Sequence, residues 1–184
     1  MKSALKISFA AAALTLSATA LVAGGKNPIV GGAAMFPTKN IIENAVNSKD
    51  HTTLVAAVKA ADLVDTLSSA GPFTVFAPTN AAFAKLPAGT VDTLLKPENK
   101  GTLSAVLTYH VLPGKVSAAA IAANAKAHGG TATYKTVQGT SLTFKKGARG
   151  FTISDAKGHT GLITIADVNQ SNGVIHVIDT VMLP

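Results

Sequence analysis

Apolar positions fall at helical spacing through the first half of the chain and at a period of two through the second. Ile41, Ile42 and Ala45 share one helical face. Asp50 stands where a cap belongs, ahead of Leu54, Val55, Val58 and Ala61, and residues 62–67 repeat the pattern in a shorter helix. Residues 73–77 form an apolar, β-branched strand that stops at Pro78, where a Thr79/Asn80 cap starts a helix. Residues 80–86, 90–95 and 102–109 follow as short helical patterns broken by Pro87 and Pro97, and Ser117 caps an Ala-rich helix ending near Ala125. From Gly129 the period changes. Residues 131–137, 141–145, 151–154, 162–168 and 174–183 read as strands divided by Gly-containing turns. A helical first half with one early strand, followed by a strand-rich second half, predicts an α+β fold.

The closing stretch is the strongest strand signal, with six β-branched residues among the twelve from Gly173 to Pro184. Val174, His176 and Ile178 alternate with Ile175, Val177 and Asp179. Both faces are mostly apolar, so the strand should be covered on both sides. Asp179 then needs hydrogen-bond donors, because an unpaired buried charge is costly.

Composition narrows the class. The chain has 184 residues, 47% of them hydrophobic and 14% charged, with no Cys and no Trp. One core of Ala, Val, Leu, Ile and seven Phe is expected, without disulfides. Lys2 and Lys6, an apolar run over residues 7–16 and the small-residue exit at Ser17-Ala18-Thr19-Ala20 predict a secretory signal over residues 1–23. That run falls short of the roughly 20 residues a membrane span needs, so no transmembrane segment is expected in the mature chain. Residues 24–36 read as a flexible Gly/Ala-rich spacer and residues 37–184 as one domain. The expected destination is extracellular or periplasmic.

Net charge is +7, and removal of Lys2 and Lys6 leaves 14 basic against 9 acidic residues, or +5. The basic residues are dispersed, with one cluster at Lys145-Lys146 and Arg149. A phosphate-tracking stripe is missing, which argues against nucleic acid and leaves acidic polysaccharide or an anionic surface as the electrostatic partner.

No catalytic constellation stands out. His110 and His176 have neither H-x-x-x-H nor H-E-x-x-H spacing, so both read as structural rather than metal-binding. No G-x-S-x-G elbow frames a serine nucleophile. The expectation is a non-enzyme without metal or cofactor.

Three segments carry a family likeness. Residues 74–83 (TVFAPTNAAF), the dipeptide Tyr109-His110 and residues 172–184 (NGVIHVIDTVMLP) resemble, in order and wording, the signatures of the fasciclin domain, and the likeness extends from about Asn40 to Pro184. The resemblance implies a β-sheet wedge packed with a bundle of short helices, most like the single-domain secreted forms of bacteria, rhizobia among them. It also implies an adhesion, matrix or cell-surface module whose partner is a surface or matrix protein or an acidic polysaccharide. Thr74, Phe76, Pro78, Thr79, Asn80, Phe83, Gly173, His176 and Asp179 are the signature positions expected to fix the fold.

In animal members, positions matching Tyr109 and His110 with Leu107, Val111 and Leu112, and matching Asp167-Val168, are tied to integrin binding. Val168 departs from the family's usual Asp-Ile pair. Core packing is the competing explanation for all seven. The alternative function is a small-molecule carrier or enzyme with a pocket between helices and sheet, for which converging polar groups would speak.

Overall fold

The computed structural model describes residues 27–184; the expected signal, residues 1–23, lies outside the described residues. The chain begins with a hairpin of β1 (Ile29–Val30) and β2 (Ala33–Ala34). There follow α1 (Ile41–Ala45), a 3-10 turn at Lys49–His51, α2 (Thr52–Ala60) and α3 (Val64–Ser68). Next come β3 (Phe73–Pro78), α4 (Asn80–Ala84), α5 (Thr90–Leu94), a 3-10 turn at Pro97–Asn99 and α6 (Lys100–Tyr109). The second half holds β4 (Val111–Pro113), α7 (Ala118–Ala127), β5 (Thr131–Lys135), β6 (Ser141–Gly147), β7 (Gly150–Ser154), β8 (Thr160–Gln170) and β9 (Gly173–Ile178). The fold is α+β. The Ser117 hydroxyl accepts from the Ala120 N–H, capping α7 as its sequence implies.

Seven strands form one sheet in the order β4-β3-β9-β8-β7-β6-β5. β3 and β9 run parallel, and the other neighbours are antiparallel. β9 lies between β3 and β8 with all six residues buried. On one face, Val75, Ala77, Ile175 and Val177 pack against Leu54, Val58, Leu103 and Leu107 of the helices. On the other, Phe76 and Ile178 join Ile121 of α7 with Leu142, Phe144 and Ile153 of the outer strands.

The sheet closes over this second core. Phe144 is four strands away from Phe76, a span of about 19 Å in a flat sheet at 4.8 Å per strand. Their ring centroids are 5.1 Å apart. The bend is built into β8, whose pairing with β9 shifts register twice between Ile163 and Val168, and where Asp167 takes φ of 58°. A bulge of this kind kinks one strand and increases local twist.

Two expectations from the sequence change. The last strand ends at Ile178, and residues 179–184 leave the ladder although Val181 and Met182 stay buried. Side chains replace strand partners there: the Met182 N–H donates to His110 Nε2 at 3.0 Å and the Leu183 N–H to Asp155 Oδ2 at 3.0 Å. The spacer reading of residues 24–36 also fails over its described part. Gly31 and Gly32 take φ of 58° and 78°, which suits a two-residue hairpin turn. The Gly31 carbonyl accepts from the Lys49 N–H at 3.1 Å, and Val30 and Met35 are buried in the helical core. A hairpin with two-residue strands is too short to show a period, which is why composition alone suggested loose chain.

A chain beginning at residue 37 should therefore unfold at lower urea than one beginning at residue 27. Burial of Val30 and Met35 is worth roughly 1.5–3 kcal/mol each. Equal midpoints in urea titrations followed by circular dichroism would mean that the hairpin is only draped on the domain.

Candidate functional site

The first signature builds the corner where β3 hands over to α4. Thr74 Oγ1 donates to the Gly114 carbonyl at 2.7 Å and accepts from the Val116 N–H at 2.8 Å, tying β3 to the segment before α7. Phe76 and Phe83 are buried, one in each core. Beyond Pro78, the Thr79 hydroxyl accepts from the Ala82 N–H at 3.2 Å and caps α4. Asn80 caps a different helix. Its Oδ1 accepts from the Thr53 N–H at 3.0 Å and its Nδ2 donates to the Lys49 carbonyl at 2.8 Å, so it holds the start of α2 from across the fold. Asp50, expected in that capping role, lies instead within the 3-10 turn that precedes α2.

Loss of either cap should cost about 0.5–2 kcal/mol, but at different helices. Asn80→Ala should speed hydrogen exchange at the Thr53 amide and spare Ala82, whereas Thr79→Ala should do the reverse. Parallel changes at both amides in each variant would contradict the assignment.

The three buried histidines have both ring nitrogens engaged, mostly by backbone. His110 Nδ1 donates to the Val106 carbonyl at 2.8 Å, which leaves Nε2 as the acceptor for Met182. His176 Nε2 donates to the Val116 carbonyl at 2.8 Å, and Nδ1 accepts from the Asp167 N–H at 3.2 Å. His51 bridges the Ser48 hydroxyl at 2.9 Å and the Ala77 carbonyl at 3.4 Å. Each ring is buried and held neutral. Both sequence-singled histidines are thus structural.

The positions matched to integrin binding do not form a surface. Leu107, Tyr109, His110, Val111, Leu112 and Val168 are all buried, with Tyr109 at 0% exposure. The Tyr109 hydroxyl donates to the Ser141 carbonyl at 3.0 Å and accepts from the Ala156 N–H at 3.1 Å. Asp167 is half-buried, and its carboxylate accepts from the Ala118 N–H at 2.8 Å, at the start of α7. Core packing occupies the six buried positions and backbone stapling ties down the half-buried Asp167, so the partner-binding assignment is corrected: in this conformation the six buried side chains face the interior.

Two carboxylates anchor the chain beyond β9. Asp179 lies just past the strand, partly exposed. Its Oδ1 accepts from the Leu162 N–H at 2.8 Å and the Thr180 hydroxyl at 2.9 Å, and Lys85 lies 3.6 Å from Oδ2. Asp155 was missed by the sequence reading. Its Oδ1 accepts from the Lys157 and His159 N–H groups, while its Oδ2 takes the Leu183 N–H and His159 Nδ1. The Asp155-Ala156-Lys157-Gly158 run is a turn signature that could have flagged it. Among the described residues, no group of three or more His, Cys, Asp or Glu is placed to hold a metal ion.

Acid should loosen this network in a defined order. Burial drives the His110 pKa from 6.5 down to about 4, against the raising pull of the Val106 carbonyl and of Asp155. The unfolded chain binds that proton near pH 6.5 and the folded one only near pH 4. The His110 contribution is therefore complete above pH 6.5 and falls away toward pH 4, by on the order of 3 kcal/mol. Burial lowers His51 and His176 in the same sense. For Asp155 and Asp179, burial pushes upward but is outweighed by their hydrogen bonds, so both lie below 3.8 and their contributions disappear only at lower pH. The urea midpoint should drop steadily from pH 6.5 to pH 4. A flat profile across that window would mean that the histidines are not held neutral.

Two concavities remain. Between α1–α3 and the β3–β9 face lies an apolar cavity of about 40 Å3, touched by Val30, Met35, Val58, Leu67, Val75 and Ile175. Small-molecule sites usually enclose about 300–1,000 Å3, so this is a packing void rather than a carrier's pocket. A polar cleft of about 430 Å3 opens where the β6–β7 turn meets the start of β8 and residues 179–180.

The family model of the fasciclin domain matches residues 49–184. Protein sll1483 of Synechocystis sp. is 50% identical over 161 residues, covering 86% of this chain and 81% of that protein. Cell surface glycolipoprotein MPB83 of Mycobacterium bovis is 37% identical over 164 residues, covering 89% of this chain and 64% of that protein. Among solved structures, a FAS1 domain pair from the insect cell adhesion molecule Fasciclin I superposes with a TM-score of 0.70 at 18% identity, over 79% of this chain and 51% of that one. At that identity the likeness concerns the fold alone.

Proposed function

The chain belongs to the fasciclin domain family, and we propose that it is a non-enzymatic, exported module that attaches to surface or matrix material. One observation carries the reading: the three buried histidines, His51, His110 and His176, have each engaged both ring nitrogens with backbone groups or Ser48, which leaves them none for acid–base work. The exposed His128 and His159 use Nδ1 for the Asn124 carbonyl and the Asp155 carboxylate, outside any enclosed pocket. The attachment uses outward-facing charge rather than the buried Tyr109-His110 segment.

Among the described residues, only Lys85 and Lys100 of the lysines sit in an ion pair, with Asp179 and Asp62 respectively. The other described lysines and Arg149 keep their charge for solvent or for a polyanion. That favours acidic polysaccharide over a protein partner, and the lack of a continuous basic stripe disfavours nucleic acid. Export rests on the tripartite pattern of residues 1–23 and accords with a relative that is a cell-surface glycolipoprotein by name. Among the described residues, no helix is long and apolar enough to cross a membrane.

Retention of the purified chain on cell-envelope material should be strong at low ionic strength and collapse in high salt, since exposed charges are screened beyond about 10 Å at 0.1 M. Failure to be retained at low salt would remove the proposal. Salt-insensitive retention would point to an apolar protein interface instead.

A further inference from the structure

The β6–β7 hairpin ends in a glycine pair, Gly147 opposite Gly150. Directly opposed residues project to the same face, so this pair continues the row that sets Lys145 opposite Thr152. Thr152 in turn pairs with Leu162 of β8. At the glycines the side chains stop and the polar cleft of about 430 Å3 opens. Arg149 stands at its hairpin rim, Thr160 and Gly161 belong to its β8 side, and Lys85 with Thr180 forms the opposite wall. Lys85 is fixed there: its Nζ donates to the Asp179 carbonyl at 2.6 Å. The Asp179 carboxylate is already engaged by Leu162, Thr180 and Lys85. Arg149 is exposed and has no ion pair among the described residues.

We propose that this cleft is a binding site for a uronic-acid unit of an acidic polysaccharide, with Arg149 holding the carboxylate and Thr152, Thr160 and Thr180 meeting the sugar hydroxyls. The inference rests on the surface-attachment reading and gives it a place on the molecule. A planar guanidinium matches a carboxylate with two parallel hydrogen bonds. The Thr152 and Thr180 hydroxyls already donate to the Lys145 carbonyl and the Asp179 carboxylate, so they would accept from sugar hydroxyls, which donate as well as accept. The volume lies in the range of about 300–1,000 Å3 typical of small-ligand sites. Of the charged residues lining the cleft, Lys85 and Arg149 outnumber the single carboxylate of Asp179, so the neighbourhood attracts anions. No aromatic side chain lines the cleft, which removes the stacking platform that single-stranded nucleic acids use.

Gly147 gives the test. A Cβ there would meet only the Gly150 carbonyl oxygen, at 3.5 Å, and its φ is not in the left-handed region. Gly147→Gln should therefore fill the cleft without disturbing the hairpin. The purified chain is titrated with trigalacturonate, and with maltotriose as the neutral counterpart, while amide resonances are followed by NMR. Expected are shifts at Thr152, Thr160 and Gly161 with trigalacturonate only. Arg149→Ala should weaken binding about tenfold or more, in line with a lost charged hydrogen bond, Gly147→Gln should weaken it as much by occupying the cleft, and both should melt with the unaltered chain.

Equal binding of maltotriose, shifts that map elsewhere, or full affinity in either variant would overturn the site. Envelope retention of the same variants separates the two claims. If retention persists in both while trigalacturonate leaves these amides unmoved, the cleft is wrong and surface attachment stands. If trigalacturonate binds in the cleft but the unaltered chain is never retained on envelope, the site stands and the attachment reading falls.

Discussion

A strand buried on both faces must find a partner for every polar atom it carries, and β9 carries an imidazole in His176. Its two nitrogens reach the Val116 carbonyl on one side and the Asp167 N–H on the other. That second bond falls at the β8 bulge, and the Asp167 carboxylate then holds the first turn of α7. One buried side chain thus links the central strand, the bend in its neighbour and the entry to the helix that covers the second core. Leaving either nitrogen unpaired in this interior would cost about 1–3 kcal/mol, which is why the three features come as a set.

The same logic repeats around β9. Asn172, in the turn before it, accepts from the Ile41 N–H and donates to the Leu67 and Ser69 carbonyls, so α1 and the end of α3 are fastened to the sheet. Gly173 follows because a Cβ there would lie 2.0 Å from the Phe73 carbonyl oxygen. After β9, His110 and Asp155 receive the Met182 and Leu183 N–H groups in place of a further ladder. The fold is therefore a hydrophobic sandwich whose register is set by a few satisfied polar side chains. Such an interior favours neutral histidine over its charged form, which is the physical basis of the acid sensitivity expected of this fold.

This economy bears on function. The buried residues whose type suggests chemistry or adhesion, His51, His110, His176 and Tyr109 among them, are occupied in holding the interior together, and a side chain with both partners taken inside the core meets no substrate. On the proposed reading, the molecule meets its surroundings through the rim: dispersed lysines, the exposed tip at Arg149 and the hollow left by two glycines. A charge-based contact of this kind depends on ionic strength, whereas the core beneath it does not.

Local rules were enough for much of the architecture. Periods of 3.6 and 2 marked the helices and strands, Ser117 and Thr79 announced their caps, and two apolar faces placed residues 174–178 inside a sheet. Each of these signals is carried by neighbours a few positions apart, so the sequence displays it directly. The remainder was decided by contacts between distant segments. Asn80 looks like a cap for the helix it begins, yet it holds Thr53, 27 residues earlier. For Tyr109 and His110 the sequence favours core packing over an exposed motif, but what covers them, the tail from Asp179 onward, emerges only in the fold. The hairpin at Ile29–Ala34 has no periodicity and becomes structure only when Val30 and Met35 find the helical core. The cleft at Gly147 and Gly150 joins three chain segments, including Lys85. A one-dimensional pattern records which side chains are apolar; which polar groups meet depends on how the sheet curls, and that is settled only when both cores close.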